Sequence, residues 1–482
     1  MRHWPLPAAV PQSKKMGGDD AVKDKYDVAV IGGGPAAIFA CWEFCEKFPA
    51  LSVVMLEEGH SVMQRHCPLA AGKSDHCLHC VPCAIMRGFG GAGAFSDGKY
   101  NFATGGWLRE YLSKQTVMDL IDYVDSINCR FGAPGKIYSA KDATIGCKAL
   151  GFDLHLLNGK LRHLGTENNL QIMEHIYQVL LQKMDVVCDT RVNSFCKKGD
   201  EFVLDTTGGE IHSTYLIAAP GRAGAEWFTE QGRKLGLSFT NNAVDVGVRV
   251  EVPAAIFKHI TDEVYEAKLV YRTKQYDDLV RTFCMNPNGY VVAENTDGII
   301  TVNGHSYADP ARQSPNTNFA LLVSNKFTEP FKEPHQYGKR IASLSNLLGD
   351  GVLLQRFGDL IKGRRTNERR LAKSFTKPTL HATPGDLSLV LPKRQLDDIV
   401  EMIYALDKIA PGMANDDTLL YGVEVKFYSS RVELDERLET RIPNLFAAGD
   451  GAGITRGLAQ ASASGVYIAR EIGERAKKSN KK

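Results

Sequence analysis

Eleven cysteines are spread through 482 residues, but four of them fall within 17 positions. Cys67 precedes Pro68, and ten residues later Cys77-Leu-His-Cys80-Val-Pro-Cys83 sets three thiols at two-residue gaps. Thiolates spaced this way in a tight loop can face one cluster, and a remote fourth completes a ferredoxin-type [4Fe–4S] site. His66, His76 and His79 stand beside them, so zinc is a competing occupant. A thiol–disulfide relay is a third reading, and four unligated cysteines a fourth. Cys41, Cys45, Cys129, Cys147, Cys188, Cys196 and Cys284 are scattered in apolar context and read as small core residues.

A second stretch with chemical meaning is Lys25-Tyr-Asp-Val-Ala-Val-Ile-Gly-Gly-Gly-Pro-Ala-Ala37. Val28, Val30 and Ile31 predict a buried strand. Gly32 and Gly34 then allow a tight turn and a close approach of backbone to a pyrophosphate. Pro35 and Ala36 open the expected helix, residues 36–48, whose N-terminal amides favour phosphate. A further apolar strand, 51–56, ends in Glu57, about 25 residues after Gly32, where an acid should meet the adenosine ribose hydroxyls. Strand, turn, helix, strand and acid together predict an ADP-binding β-α-β unit.

The far end of the chain carries Asn444-Leu-Phe-Ala-Ala-Gly449-Asp450 and then Gly451-Ala-Gly-Ile-Thr-Arg-Gly457-Leu458. This resembles the second FAD fingerprint of flavoproteins built like glutathione reductase. The resemblance implies that Asp450, after Gly449, bonds the ribitol chain. It also implies that a helix starting near Gly457 and Leu458 aims its positive end at the flavin pyrimidine. Tyr215-Leu-Ile-Ala-Ala-Pro-Gly221, preceded by a hairpin-like pair at 185–195 and 201–205, looks like the middle signature of the same group, with Val192 near the adenine. Between the cysteines and residue 101 runs Gly88-Phe-Gly90-Gly91-Ala-Gly-Ala-Phe-Ser-Asp-Gly-Lys99-Tyr-Asn101. Glycine at this density serves close approach to a ligand. In flavoproteins a Gly90–Gly91 type of segment passes the isoalloxazine, and Lys99 would bring a cation near it.

Arg65-x-Cys67-Pro, the cysteine triplet and Gly90-Gly-Ala-Gly-Ala-Phe-Ser-Asp-Gly-Lys99 together resemble the family of uncharacterised FAD-dependent dehydrogenases. Ile300-Thr-Val-Asn-Gly-His-Ser-Tyr307, Ala382-Thr-Pro-Gly-Asp-Leu-Ser-Leu-Val-Leu391 and Leu420-Tyr-Gly-Val-Glu-Val-Lys-Phe-Tyr428 extend the likeness over nearly all of 26–474. It implies a fold and a cofactor more than a reaction.

These motifs need a scaffold that returns to one sheet several times. The expected class is α/β: a Rossmann-like FAD-binding domain (25–100, 165–245 and 415–475) with an interleaved second α+β substrate domain (101–164 and 246–414). Residues 1–24 read as a disordered tail, with Met16 an alternative start. Strands are expected at 246–252 and 298–303, and amphipathic helices at 339–348 and 396–407. At 44% hydrophobic and 24% charged the composition is globular, and two cores are expected at this length. A net charge of +2 gives no case for nucleic acid. No apolar run reaches the ~18 residues of a membrane span, nor is a secretory signal evident, so a cytoplasmic protein is expected. The run Lys362-Gly-Arg-Arg365 with Arg369 and Arg370 could clamp an anion, or be a solvated face.

No second glycine-rich β-α-β unit occurs between 100 and 410, so a separate NAD(P)H domain is not expected. Candidates for acid–base work near a flavin are Lys99, His305, Tyr307, Ser306 and Lys426. The leading reading is an FAD-dependent oxidoreductase acting on a small or lipid-like substrate. The alternative is a flavo-iron–sulfur module that exchanges electrons with a carrier protein.

Overall fold

The computed structural model describes residues 23–479 apart from 75, 103–105, 142, 297, 326, 328, 329 and 332. Nearly all of the expected tail, 1–24, therefore lies outside the described residues.

Lys25–Ile31 is central to the first sheet because Val28, Ala29, Val30 and Ile31 are buried on both of its faces. It pairs in parallel with Val53–Leu56 on one side and Gly209–Ala218 on the other. Asp185–Val187 extends the sheet beyond Val53–Leu56, also in parallel. Gly209–Ala218 divides its outer edge: Leu445–Ala447 runs parallel to its last residues, and the hairpin Val192–Lys198 and Glu201–Thr206 runs antiparallel to its first ones. The helices Pro35–Lys47 and Leu458–Ser479 pack face to face through small residues. A Cβ on Gly465 would stand 1.9 Å from the Ala36 carbonyl oxygen, so only glycine permits that approach.

The second sheet has eight strands around Val244–Pro253, which pairs antiparallel with Asn316–Asn325 and Leu419–Phe427. Its sequence alternates, and Val244, Val246, Val248, Val250 and Val252 fill a core with Ile399, Met402 and Ile403 of the helix Lys393–Asp407. Alternation of this kind usually leaves the polar face wet. Here Asp245, Arg249 and Glu251 are buried as well, because the hairpin Tyr290–Thr296 and Ile299–His305 lies across that face. Arg249 and Glu424 form a fully buried pair at 2.9 Å. Glu251 is held by Thr379 Oγ1 at 2.6 Å and Asn316 Nδ2 at 3.0 Å.

Two segments lie across the boundaries the sequence suggests. Leu419–Phe427 belongs to the second sheet, since it hydrogen-bonds along Val244–Pro253 (Val246 opposite Val425). The helix Lys114–Arg130 packs Val117, Leu120, Ile121, Val124 and Ile127 into the first core, because its apolar stripe has no counterpart on the second sheet. The cationic run is a solvated face: Arg364 and Arg370 share Asp359, and Lys362 pairs with Asp416.

Gly465→Val should lower unfolding stability by about 3 kcal/mol, the upper end of overpacking costs, and reduce the occupancy of the dinucleotide site as the two helices separate. Denaturant melts of the purified variant check this, and an unchanged midpoint would contradict it.

Candidate functional site

Gly32 has φ +100°, and a Cβ there would meet the Ala219 carbonyl oxygen at 2.3 Å. The turn therefore depends on glycine at this position. Gly34 is different: its backbone is extended (φ −80°), and a Cβ would meet nothing within 4 Å. What faces Gly34 is open cavity, at the N-terminus of Pro35–Lys47, where backbone amides are unpaired by the helix.

Glu57, at the end of Val53–Leu56, is 7% exposed. Its carboxylate accepts three backbone N–H groups: Gly33 at 2.6 Å, Gly59 at 2.8 Å and Gly88 at 2.8 Å. Burial pushes this carboxyl upward, and those amides together with Arg65 oppose the shift. Arg65, itself buried, donates to the carbonyls of Ala84 (2.9 Å), Ile85 (2.8 Å) and Phe89 (2.7 Å) and lies over the Phe95 ring. Burial lowers its guanidinium to about 10. Glu57 and Arg65 thus shape the glycine-rich loop between them. The loop then clasps the turn through Gly90 N to Gly33 O, 2.7 Å, with Gly90 and Gly91 both at positive φ. Sequence reasoning missed Arg65 as a builder of the site, although the Arg65-x-Cys67-Pro motif marked it.

One cavity of about 1160 Å³ joins this turn to the second sheet. It is lined by Gly32, Gly34, Pro35, Ala36, Glu57, Gly91, Val192, Gly221, Gly449, Asp450, Gly457 and Leu458, so of the expected cofactor-contacting residues only Gly90 stands behind the wall. The volume exceeds the ~300–1,000 Å³ of ordinary small-molecule sites, which suits a dinucleotide with a substrate beside it. Asp450 is oriented by Thr455 Oγ1 (2.6 Å) and Gly457 N (3.0 Å), and Gly457, at φ +89°, turns the chain into Leu458–Ser479. An open cradle at Gly34, a helix N-terminus, the buried carboxyl of Glu57 and the half-buried one of Asp450 fit FAD.

Of the three catalytic candidates, only Lys99 reaches the cavity wall. Its ammonium is committed to Met285 O, Asn286 Oδ1 (2.9 Å) and Asp97 Oδ2 (3.1 Å), which ties the glycine-rich loop to the strand Leu279–Asn286. Burial opposes its charge, but Asp97, Cys284 and Glu266 outweigh burial and raise its pKa. His305 bonds Thr166 Oγ1 at 3.0 Å and stacks on Tyr290, outside the lining of the larger cavity. Tyr307 lines a separate cavity of about 700 Å³ with His163 and Tyr265. Ser306 is buried between those two, bonding Tyr265 Oη at 2.7 Å. Lys426 lines the larger cavity and pairs with Glu424 at 2.7 Å. Cys284 lines it too, at φ +47° in a bulge of its strand, and is not the core residue its context suggested.

The cysteine loop lies elsewhere. Asn295 of the second-sheet hairpin holds Cys77 Sγ (3.3 Å) and His79 Nδ1 (3.0 Å), and Cys80 is exposed. Burial pushes the Cys67 thiol up, and nearby Cys83 and Cys77 add to the shift. Among the described residues, no three His, Cys, Asp or Glu side chains are placed to hold a metal ion. The expected convergence of Cys67, Cys77, Cys80 and Cys83 on one centre is therefore not seen among the described residues.

Two outcomes are expected of this site. Gly34→Trp should abolish FAD binding while leaving the apoprotein melting temperature within about 2 °C, because its backbone is unstrained and the indole enters only the cavity; flavin retention on gel filtration would contradict it. The second concerns pH. Burial, helped by Lys99, lowers His163 to about 3 from 6.5, and burial also lowers His305 to about 4. Between these values and 6.5 the unfolded chain binds more protons, so stability falls as pH drops below 6.5. The slope is about 1.4 kcal/mol per pH unit for His163, with a smaller one for the less buried His305. His163→Gln should flatten that slope in urea melts between pH 6.5 and 4.5.

Residues 243–427 match the family model described as FAD-dependent protein, C-terminal domain-like. Over 466 residues the chain is 26% identical to an uncharacterised protein of Clostridium beijerinckii, covering 92% of this chain and 80% of the relative. Solved structures with some likeness include NikD, an unusual amino acid oxidase essential for nikkomycin biosynthesis, at 11% identity and TM-score 0.42 over 94% of each chain. Another is L-proline dehydrogenase from P. horikoshii, at 10% and 0.41 over 94% of this chain and 95% of that one. Identities and scores this low say nothing about substrate. Among the described residues no helix is long and apolar enough to cross a membrane. Over residues 243–427, then, the chain is similar to the C-terminal domain of FAD-dependent proteins.

Proposed function

We propose that the protein is an FAD-dependent oxidoreductase acting on a small polar molecule held at the second-sheet end of the cavity. The observation that carries this reading is the continuity of that cavity: one wall is the dinucleotide cradle, the other is Arg281, Cys284, Glu294 and Lys426 of the second sheet and its hairpin. A wall so rich in charge favours a polar substrate over the lipid-like one also considered.

When bound, FAD would supply hydride acceptance and donation. Residues 32–36 would hold its pyrophosphate through backbone amides, and Asp450 would accept from its polyol chain. Lys99 has its three N–H groups committed, so its part at the wall is a fixed positive charge rather than proton transfer. Glu294 keeps its charge despite burial, through Arg222, Lys426 and a 2.6 Å bond from Asn303, and is the carboxylate best placed to accept a proton from a substrate in the cavity.

The reading is tested by purifying the protein and counting flavin. About one FAD per chain is expected, and FMN or no flavin after reconstitution would sink it. NADH or NADPH should reduce that flavin slowly, since no second dinucleotide fingerprint is present; millisecond bleaching at micromolar NADPH in stopped flow would contradict this.

A flavo-iron–sulfur module serving an electron-carrier protein is the second reading, favoured by Cys77 and Cys83 lying near Cys67. Anaerobic purification with iron, zinc and sulfide counts decides it. Stoichiometric iron lost in Cys77→Ser would support it, and metal-free protein with unchanged flavin chemistry would end it.

A further inference from the structure

Arg456 lines the cavity, and among the described residues its guanidinium has no hydrogen-bond or ion-pair partner. It follows Thr455 and precedes Gly457 in the turn that carries Asp450, and its side chain lies in the corner between two rings of the wall that stand 77° apart. The guanidinium lies 3.8 Å from the Trp107 ring centre and 3.7 Å from that of Tyr428. Rings at this angle steady the group without closing off the edge that carries its N–H groups. Among the described residues no hydrogen bond or ion pair uses that edge, and Nε is buried without an acceptor.

The nearest carboxylates, Asp245 and Asp450, act on it without bonding it. Arg281 also lines the cavity, and its own Nε is likewise buried without a partner. Asp245 is already taken: it accepts from Arg281 Nη2, from Tyr428 Oη and from Ser324 Oγ (2.6 Å). Two guanidiniums thus stand with two carboxylates, Asp245 and Asp450, at this corner, and the Arg456 edge bonds neither of them. Burial depresses the Arg456 guanidinium and Arg281 adds to that, while Tyr428, Asp245 and Asp450 oppose it. The pyrophosphate is expected at residues 32–36, so an anion at Arg456 would be a separate one.

We propose that Arg456, with Arg281 beside it, is the binding site for the carboxylate of the substrate, which is therefore an organic acid. A bidentate pair with a guanidinium edge fixes both the position and the orientation of such an acid, which a lone ammonium would not. Contact with Trp107 and Tyr428 holds the Arg456 side chain in place, so little side-chain entropy is lost on binding. This inference rests on the oxidoreductase reading only for the word substrate; the anion site itself stands on the geometry.

The test uses the FAD-loaded protein and two matched probes, benzoate and benzamide, titrated while the flavin absorption band is followed. Saturable binding of benzoate at least tenfold tighter than of benzamide is expected. Arg456→Gln should weaken benzoate tenfold or more, leave benzamide unchanged and keep the FAD content at the wild-type level; Arg456→Lys should recover part of the loss. Equal binding of acid and amide, or benzoate affinity unchanged in Arg456→Gln, would overturn the proposal. Loss of FAD in Arg456→Gln would overturn it too, by showing that the arginine serves the dinucleotide. If the wild-type protein takes up no FAD, the oxidoreductase reading fails by itself, and calorimetric titration of benzoate and benzamide into the flavin-free protein still decides whether the anion site exists.

Discussion

The carboxylate of Glu57 gathers three backbone amides from three separate turns, and the architecture of the cofactor site follows from that one group. Gly33 belongs to the phosphate turn, Gly59 to the end of the second strand and Gly88 to the glycine-rich loop. A buried carboxylate without donors is costly, and each amide without an acceptor is costly too. Bringing them together removes both penalties at once and leaves the three turns no freedom to drift apart. Arg65 completes the arrangement from the other side by taking the carbonyls of the same loop. The mouth of the dinucleotide cradle is therefore held by polar bonds to backbone, while its floor is ordinary apolar packing around Lys25–Ile31.

The second sheet solves a different problem. Its central strand alternates valine with charged and small residues, and both faces are covered. The valine face is a conventional core. The opposite face carries Arg249 and Glu424, fully buried, with Asn318 and the Cys284 carbonyl satisfying the remaining guanidinium donors. Such a pair contributes little net stability, since desolvation offsets the attraction, but loss of either partner would leave a bare charge in the interior. Its consequence is local. By holding the Cys284 carbonyl it supports the bulge that turns Cys284 toward the cavity, and through Glu424 it steadies Lys426.

Between the two sheets the cavity is walled by groups already committed to one another. Lys99 crosses from the glycine-rich loop to Met285 and Asn286, and Arg281 is fastened to Asp245 and Tyr428. Commitment of this kind makes a rigid site whose charges do not reorganise when a ligand enters, and it sets Arg456 apart as a group left to meet one. The cysteine loop stands outside this economy of partners. It packs on the hairpin through Cys77 and Asn295 while Cys80 faces solvent.

Sequence alone determined the β-α-β unit, its phosphate turn and the second fingerprint at Asp450, because these depend on short-range spacing: a glycine needed where φ is +100° at Gly32, an acid at a strand end, an apolar strand before each. It also marked the strand at 246–252 and the helices at 339–348 and 396–407 from periodicity. What spacing could not decide was which faces meet. The helix Lys114–Arg130 and the strand Leu419–Phe427 joined domains opposite to those expected, since an amphipathic stripe names no partner. His305 and Tyr307, adjacent in motif to Ser306, were carried away from the larger cavity by the alternation and exit of their strand. Arg456 looked like one polar residue in a glycine-rich turn. Only the tertiary structure could show it in the corner between Trp107 and Tyr428, residues distant from it in sequence, because an unpaired charge is a property of everything that surrounds it.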